Sequence, residues 1–250
     1  TRFNYMSTTL RRISERSENS KTIKKTYQEW TNCPSLFRNT AWGPMKLKPL
    51  PIFRDEERHQ YCWEPTGEWL AYSTTQVTGS DKTPEALANI ERYRHIWEPR
   101  GIHVHYCLEQ FLLGDKQPDP KEFEDWVRPL LTDPFWENFE TWAVEYMLAD
   151  LDKSIGGQFD VLGFDHKANK LTLIDLKTQS KSNRKIYNTD AQLGSHVESL
   201  ADHFGLVVDS CRTIWSRPNK CIIGEEQDPL TCRLAWKESW KNFQMKQETL

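Results

Sequence analysis

The stretch Gly157–Gln179, GQFDVLGFDHKANKLTLIDLKTQ, decides how the rest of the chain is read. Gln158–Phe164 alternates and is rich in Phe and Val, and Leu171–Thr178 carries Leu171, Leu173, Ile174 and Leu176. Between them, Asp165-His166-Lys167-Ala168-Asn169 is polar and turn-favouring, so the segment is expected to form a β-hairpin. Side chains two apart on a strand share a face, which sets Asp175 beside Lys177. A hairpin closing around Lys167–Ala168 brings Asp160 to the same end of the sheet. Two carboxylates and a lysine there suit a hard cation held by Asp160, Asp175 and the backbone carbonyl of Leu176. Mg²⁺ keeps several waters and takes only one or two protein carboxylates. Lys177 is then placed to position or deprotonate a water and to offset charge on a phosphate. An isolated Asp-x-Lys is common on solvated hairpins, so the flanking segments carry the decision.

Upstream, Trp136–Asp150 fits either a helix or an alternating strand. We expect helix or loop to about Glu140, then a strand carrying Glu145 into the hairpin. Further back, Thr83-Pro84-Glu85 has helix-start chemistry, a Thr cap with Pro in the first turn. That helix carries Arg92, Arg94 and His95 and is expected to run to about Trp97, where Pro99 breaks it and Gly101 opens the next. In Ile102–Leu113, His105 and Glu109 are four apart on one helical face beside an apolar stripe of Val104, Leu108 and Phe111. A neutral imidazole is a metal ligand, and Glu109 is placed to orient it or reach a bound water. The same spacing also suits an ordinary polar pair on a half-exposed helix. Lys121–Leu131 is a further helix, ending near Pro129 or Pro134.

Downstream, Ser180–Lys185 is a basic loop whose Lys181, Arg184 and Lys185 suit a phosphate backbone or a solvated turn. Thr189-Asp190 opens an amphipathic helix with Leu193, Val197, Leu200, Ala201 and Phe204 on one stripe, flanked by Gln192 and His196. Leu206–Val208, Cys211–Ser216 and Lys220–Gly224 are expected as strands, and Thr231–Phe243 as a closing helix with Leu234, Trp236 and Trp240. Arg54–Thr75 suggests a short hairpin turning at Pro65-Thr66-Gly67.

The 250 residues suffice for one large domain. No apolar run approaches the 18 residues of a membrane span. Ten Lys/Arg against three Asp/Glu give residues 1–50 a charge of +7, so the formal −3 of the chain leaves −10 on residues 51–250. This divides the chain into a basic N-terminal arm and irregular wrap (1–50) and an acidic body (51–250), a local basic path rather than a global attraction to nucleic acid. The 11 Trp suggest aromatic packing, with some ring surface open to bases. The six cysteines include no CxxC pair, which points to reduced, structural thiols in an intracellular protein. The first 30 residues lack the apolar core of a secretory signal. They are basic and Ser/Thr-rich like a mitochondrial presequence, but Glu15, Glu18 and Glu29 count against one.

Taken together, the motifs resemble the RecB-like nucleases of the PD-(D/E)XK superfamily over roughly residues 55–245. The likeness rests on their order: Arg100-Gly101-x3-His105-x3-Glu109, then Glu145 fifteen residues before Asp160, then Asp175-Leu-Lys177-Thr178, then a helix opening with Gln192-Leu193. The pattern is most similar to the family of mitochondrial genome maintenance exonucleases with its bacterial and phage relatives. The resemblance implies an α/β fold, a PD-(D/E)XK core with a central mixed β-sheet flanked by helices, and a helical arch over single-stranded DNA formed by residues 83–100. It implies Mg²⁺ or Mn²⁺ held by His105, Asp160, Asp175 and the Leu176 carbonyl. Lys177 would act on the attacking water, Glu109 or Glu145 would support the site, and Gln192 would orient Lys177 or the DNA backbone. Arg92, Arg94, Arg100, Lys181, Arg184 and Lys185 would contact nucleic acid. Relatives commonly show Gln-x3-Tyr where this chain has His196. Cys211, Cys221 and Cys232 do not match the grouped cysteines of iron–sulfur relatives, so no cluster is expected. The expected activity is a DNA exonuclease of single strands or duplex ends in repair, recombination or replication. The alternatives are an endonuclease of restriction or structure-specific type and an inactive DNA-binding subunit. The expected setting is the cytoplasm of a bacterium or phage-infected cell rather than the mitochondrial matrix, with no membrane partner.

Overall fold

The hairpin expected at Gly157–Gln179 is the centre of a mixed six-stranded sheet. The computed structural model describes residues 38–40, 43–45, 47–55, 58 and 60–249, with the backbone path alone at 38–40 and 43–45. Residues 1–37, most of the basic arm, and with them Cys33, lie outside the described residues. Within the supposed irregular wrap, β1 (Arg38–Thr40) and β2 (Gly43–Met45) pair antiparallel, and Leu47 beyond them is fully buried.

Strands β7 (Phe139–Asp150), β8 (Ile155–Asp165) and β9 (Lys170–Thr178) form an antiparallel meander. The turn closes with Asp165 opposite Lys170. Asp165 Oδ1 accepts the Lys167 and Ala168 N–H groups, and Asn169 takes φ +56°, a left-handed conformation that Asn tolerates. Helix α5 (Asp190–Phe204) then crosses to β10 (Ser210–Arg217), which lies parallel to β9 and turns into the antiparallel β11 (Lys220–Ile223). Strand β6 (Tyr72–Ser73) joins β8 in parallel at Ile155 and Gly156. A separate small sheet holds β3 (Ile52–Asp55), β4 (Gln60–Trp63) and β5 (Glu68–Trp69), turning through Gly67 at φ +67° as its sequence suggested.

On one face of the main sheet, Val104 and Leu108 of α3 (Arg94–Leu113) and Val127 and Leu130 of α4 (Glu124–Leu131) pack on Val144, Val161, Ile174, Leu176 and Ile214. Alternation therefore turns Asp175 and Lys177 to the opposite face. There α5 packs closely on α6 (Pro229–Glu248), so that a methyl at Gly194 would lie 2.0 Å from the Cys232 carbonyl oxygen. Short helix α1 (Thr74–Gly79) and Trp236 and Phe243 of α6 enclose Val77 and Ile155.

Three expectations about elements are corrected. The interruption after α2 (Pro84–Arg92) falls at Tyr93, and α3 runs through both Pro99 and Gly101. Proline at 99 removes only the donor to the His95 carbonyl; both residues are exposed, which leaves that carbonyl to water. Leu206–Val208 is not a strand: Leu206 and Val208 are buried as a loop leaving Gly205, whose φ of +63° ends α5. Leu234 is exposed, while Trp236 and Phe243 carry the buried face of α6.

Candidate active site

The chemistry gathers where β9 parts from β8. The β8–β9 ladder ends at Val161 opposite Ile174, one residue short of Asp160 and Asp175. Strand β7 occupies the other edge of β8 throughout, and β6 takes up the β9 side only at Ile155 and Gly156. Residues 157–160 therefore have an edge without a strand partner, and the Asp160 carboxylate accepts the Leu176 N–H that the ladder has released. In a strand the N–H and C=O of one residue point to the same side, so the Leu176 carbonyl also faces Asp160.

Three elements supply the remaining groups. His105 Nδ1, from α3, lies 3.1 Å from a Glu145 oxygen and 3.3 Å from an Asp160 oxygen. Glu145 falls between the Val144–Val161 and Tyr146–Phe159 pairs of the β7–β8 ladder, opposite Asp160, with its backbone at φ +43°. A non-glycine residue in that region is strained, and such strain concentrates at functional positions. Gln158 donates to the second Glu145 oxygen. Lys177 Nζ donates to Asp175 Oδ1 at 2.8 Å and to Gln192 Oε1, on α5, at 3.0 Å.

These groups shift one another strongly. Burial disfavours the His105 imidazolium, but the Asp160 and Glu145 carboxylates outweigh it and raise its pKa well above the usual histidine value. Burial likewise disfavours ionised Asp160, yet His105, Lys177 and the Leu176 N–H together hold its pKa low. For Asp175, burial exceeds the pull of Lys177, and with Asp160 nearby the carboxyl is pushed up to about 6. Burial works against the Lys177 ammonium, but Asp175 and Asp160 raise its pKa nevertheless. The Glu109 carboxyl is raised by burial and then by Glu145, which places it near Glu145 rather than against His105.

A divalent cation fits this donor set. One donor atom each from His105, Glu145 and Asp160 lie within 4.8 Å of one another, and Asp175 Oδ2 is buried without a hydrogen-bond partner. An imidazole set between two acids marks a place where positive charge is favoured, and a metal would occupy it in place of a proton. Glu145, expected as a support, is thus among the closest-grouped donors, while Asp175 stands one step aside, held by Lys177. Spacing gave no signal for this, because the left-handed turn of β7 at Glu145 is invisible to periodicity. Gln158 and Tyr187 were missed for the same reason: neither belongs to a motif. Tyr187 packs its ring edge on Trp215 and lies electrostatically close to Lys177, Asp175 and Arg184.

The six cationic candidates divide. Lys181, Arg184 and Lys185 are exposed on the loop after β9, and Arg92 is exposed at the end of α2. Arg94 is committed to Glu98, with Nη2 2.8 Å from its carboxylate, and lies 3.8 Å from Glu91, so its charge is already offset. Arg100 is not a surface cation: it is 5% exposed, beneath the ring of Trp126 at 5.2 Å. His196, four residues beyond Gln192 on α5, is buried beside Gly157 and Phe159, and burial lowers its pKa to about 4.

No protein-family model and no curated protein matches the chain. Among solved structures, the crystal structure of SSO0001 aligns at 14% identity over 56% of this chain and 69% of that one, with a TM-score of 0.29. A likeness at that level carries no argument about fold or chemistry. Among the described residues, no helix is long and apolar enough to cross a membrane.

Proposed function

We propose that the chain is a Mg²⁺- or Mn²⁺-dependent deoxyribonuclease with a PD-(D/E)XK core, hydrolysing phosphodiester bonds of single-stranded DNA or DNA ends. The observation that carries this reading is the meeting of His105, Glu145 and Asp160 with the Asp175–Lys177–Gln192 chain at the parted end of β8 and β9. That convergence joins groups from α3, β7, β8, β9 and α5, and a merely solvated hairpin has no need of it.

His105, Asp160, Glu145 and Asp175, with the Leu176 carbonyl, would hold the metal, which supplies a Lewis acid that activates water and polarises the phosphate. Lys177 has three N–H donors and spends two on Asp175 and Gln192. The third is left for the attacking water or a phosphoryl oxygen, and the two fixed bonds aim it. Gln192 thereby positions Lys177. The exposed aromatic and apolar side chains Leu87, Ile90, Tyr93, Ile96 and Trp97 support an arch along 83–100. α2 has no buried residue, so this segment leaves the body, and its rings suit stacking on unpaired bases without sequence preference. That favours an exonuclease over a sequence-reading endonuclease.

The test is a time course on end-labelled linear single-stranded DNA and on a closed single-stranded circle, in Mg²⁺, Mn²⁺ and EDTA, with Lys177→Ala alongside. Metal-dependent loss of the linear strand with a spared circle and an inactive variant is the expected result. Cutting of the circle identifies an endonuclease. DNA binding without cutting in any metal replaces the enzyme with an inactive DNA-binding subunit.

A further inference from the structure

Arg100 is a buried cation without a counter-ion. Its Nε is buried with no hydrogen-bond partner, and no acceptor meets the guanidinium among the described residues. Arg212 and Arg217 also leave Nε without a partner, but their Nη atoms are matched: Arg217 donates to the Ser182 and Arg184 carbonyls, and Arg212 to the Gly224 carbonyl with Glu226 beside it, whereas Arg100 has neither. Arg100 has the Trp126 ring at 5.2 Å, and its electrostatic neighbour is a second cation, Arg184. A ring face offsets only part of the cost of desolvating a guanidinium, and a nearby like charge adds to it. The arrangement is complete only with an anion.

Its place in the fold says which anion. A methyl at Gly101, the next residue, would lie 3.9 Å from Thr178 Oγ1, one residue beyond Lys177. Trp126, which carries Arg100, is fixed by its Nε1 donating to the Gln179 carbonyl. Arg184 is held by the grip of Arg217 on its own carbonyl and that of Ser182, and by Gln179 Nε2 donating to the Lys185 carbonyl. Arg100 precedes His105 by five residues of α3, about 7.5 Å along the axis. The two side chains also diverge by about 140° around the axis, which sets Arg100 apart from the metal donors rather than beside His105.

We propose that Arg100 and Arg184 form a socket for a phosphate group next to the one that is cut, fixing the register of the strand over Lys177. The socket rests on the nuclease reading for its substrate, and its chemistry suits an internal phosphodiester or a terminal phosphate monoester alike. Arg100 sits as a preformed planar fork, so two parallel hydrogen bonds to phosphate oxygens are available at little ordering cost.

The test uses the full chain and its Arg100→Gln, Arg100→Lys, Arg184→Gln and Lys177→Ala variants, binding a fluorescent single-stranded 12-mer in EDTA over a range of salt. Arg100→Gln and Arg184→Gln are each expected to weaken binding roughly ten- to a hundredfold. Each should also flatten the log–log salt slope by about 0.7. A single neutral methylphosphonate, walked along the strand, should penalise the wild type at one position and leave Arg100→Gln indifferent there, while Lys177→Ala, which keeps both arginines, retains that position-specific penalty. Strands with and without a terminal phosphate say whether that position is the end or an internal link. Wild-type affinity and slope in both glutamine variants, or an undiminished methylphosphonate penalty in them, overturn the socket. If Arg100→Gln fails to fold by circular dichroism, Arg184→Gln, on an exposed loop, decides alone. A wild type that cuts DNA while both variants bind normally refutes the socket and spares the nuclease; arginine-dependent binding without cutting in any metal does the reverse.

Discussion

Lys177 Nζ lies 2.8 Å from Oδ1 of Asp175, two residues back on the same strand and the same face. The pair is buried at its acidic end, with Asp175 3% exposed. Lys177→Met is therefore expected to act twice. Cleavage falls roughly 100- to 1000-fold, as for loss of a preorganised donor. The metal-free fold loses about 3 kcal/mol, because a buried carboxylate is left unpaired. Single-turnover kinetics and urea unfolding in EDTA read the two effects separately.

Metal binding should appear as stability. At a hundredfold excess over its dissociation constant, Mg²⁺ or Mn²⁺ adds about 2.7 kcal/mol, several degrees in Tm. Asp160→Asn removes a donor and should abolish that increment; an equal rise in the variant places the ion elsewhere.

Glu145 combines a left-handed backbone with a carboxylate beside His105. Glu145→Gly relieves a left-handed conformation that costs about 1 kcal/mol for a residue with a Cβ. The same change removes the carboxylate beside His105. The expected outcome is a chain as stable as the parent within about 1 kcal/mol and unable to cleave, read by thermal melting and nuclease assay together.

His196 gives the fold an acid limit. Its pKa, about 4 when folded, is below the ordinary value of 6.5 because burial disfavours the imidazolium. The unfolded chain therefore takes up a proton first as pH falls. This contribution to stability is whole above pH 6.5 and is lost progressively between there and pH 4, at most about 3 kcal/mol. His196→Gln should flatten the stability curve in that window, measured against the wild type by denaturant titration at each pH.

Arg217 pins the loop after β9 by donating to the Ser182 and Arg184 carbonyls. Arg217→Ala should free that loop, so that limited trypsin cuts at Lys181, Arg184 or Lys185 well before it cuts the wild type. Unchanged digestion would place the restraint in the Gln179–Lys185 hydrogen bond alone.

Much of this was legible from residue order. Alternation marked β8 and β9, the polar run at 165–169 marked their turn, and i,i+4 spacing put His105 and Glu109 on one face of α3. Asp160, Asp175, Lys177 and Gln192 do converge, because strand period and helix start are local properties. What escaped was set by distant parts of the chain. Pro99 stays helical because α3 is anchored by Val104 and Leu108 and the freed carbonyl reaches water. Leu206 and Val208 are apolar because they are buried, yet no strand among the described residues partners them. Charge alone could not tell Arg94, spent on Glu98, from Arg100, buried under Trp126.

The meander from β7 to β9 also bears on how the molecule assembles. Glu145, Asp160, Asp175 and Lys177 all come from one run of sequence-adjacent strands with short loops to close, whereas His105 and Gln192 arrive on helices that must dock from outside. Local pairings form early. The nascent sheet thus brings three acids and one lysine together before His105 is in place, and that negative charge opposes its own closure. A divalent cation held there, as proposed, would relieve the opposition during refolding, so that refolding should run faster with Mg²⁺ or Mn²⁺ than in EDTA.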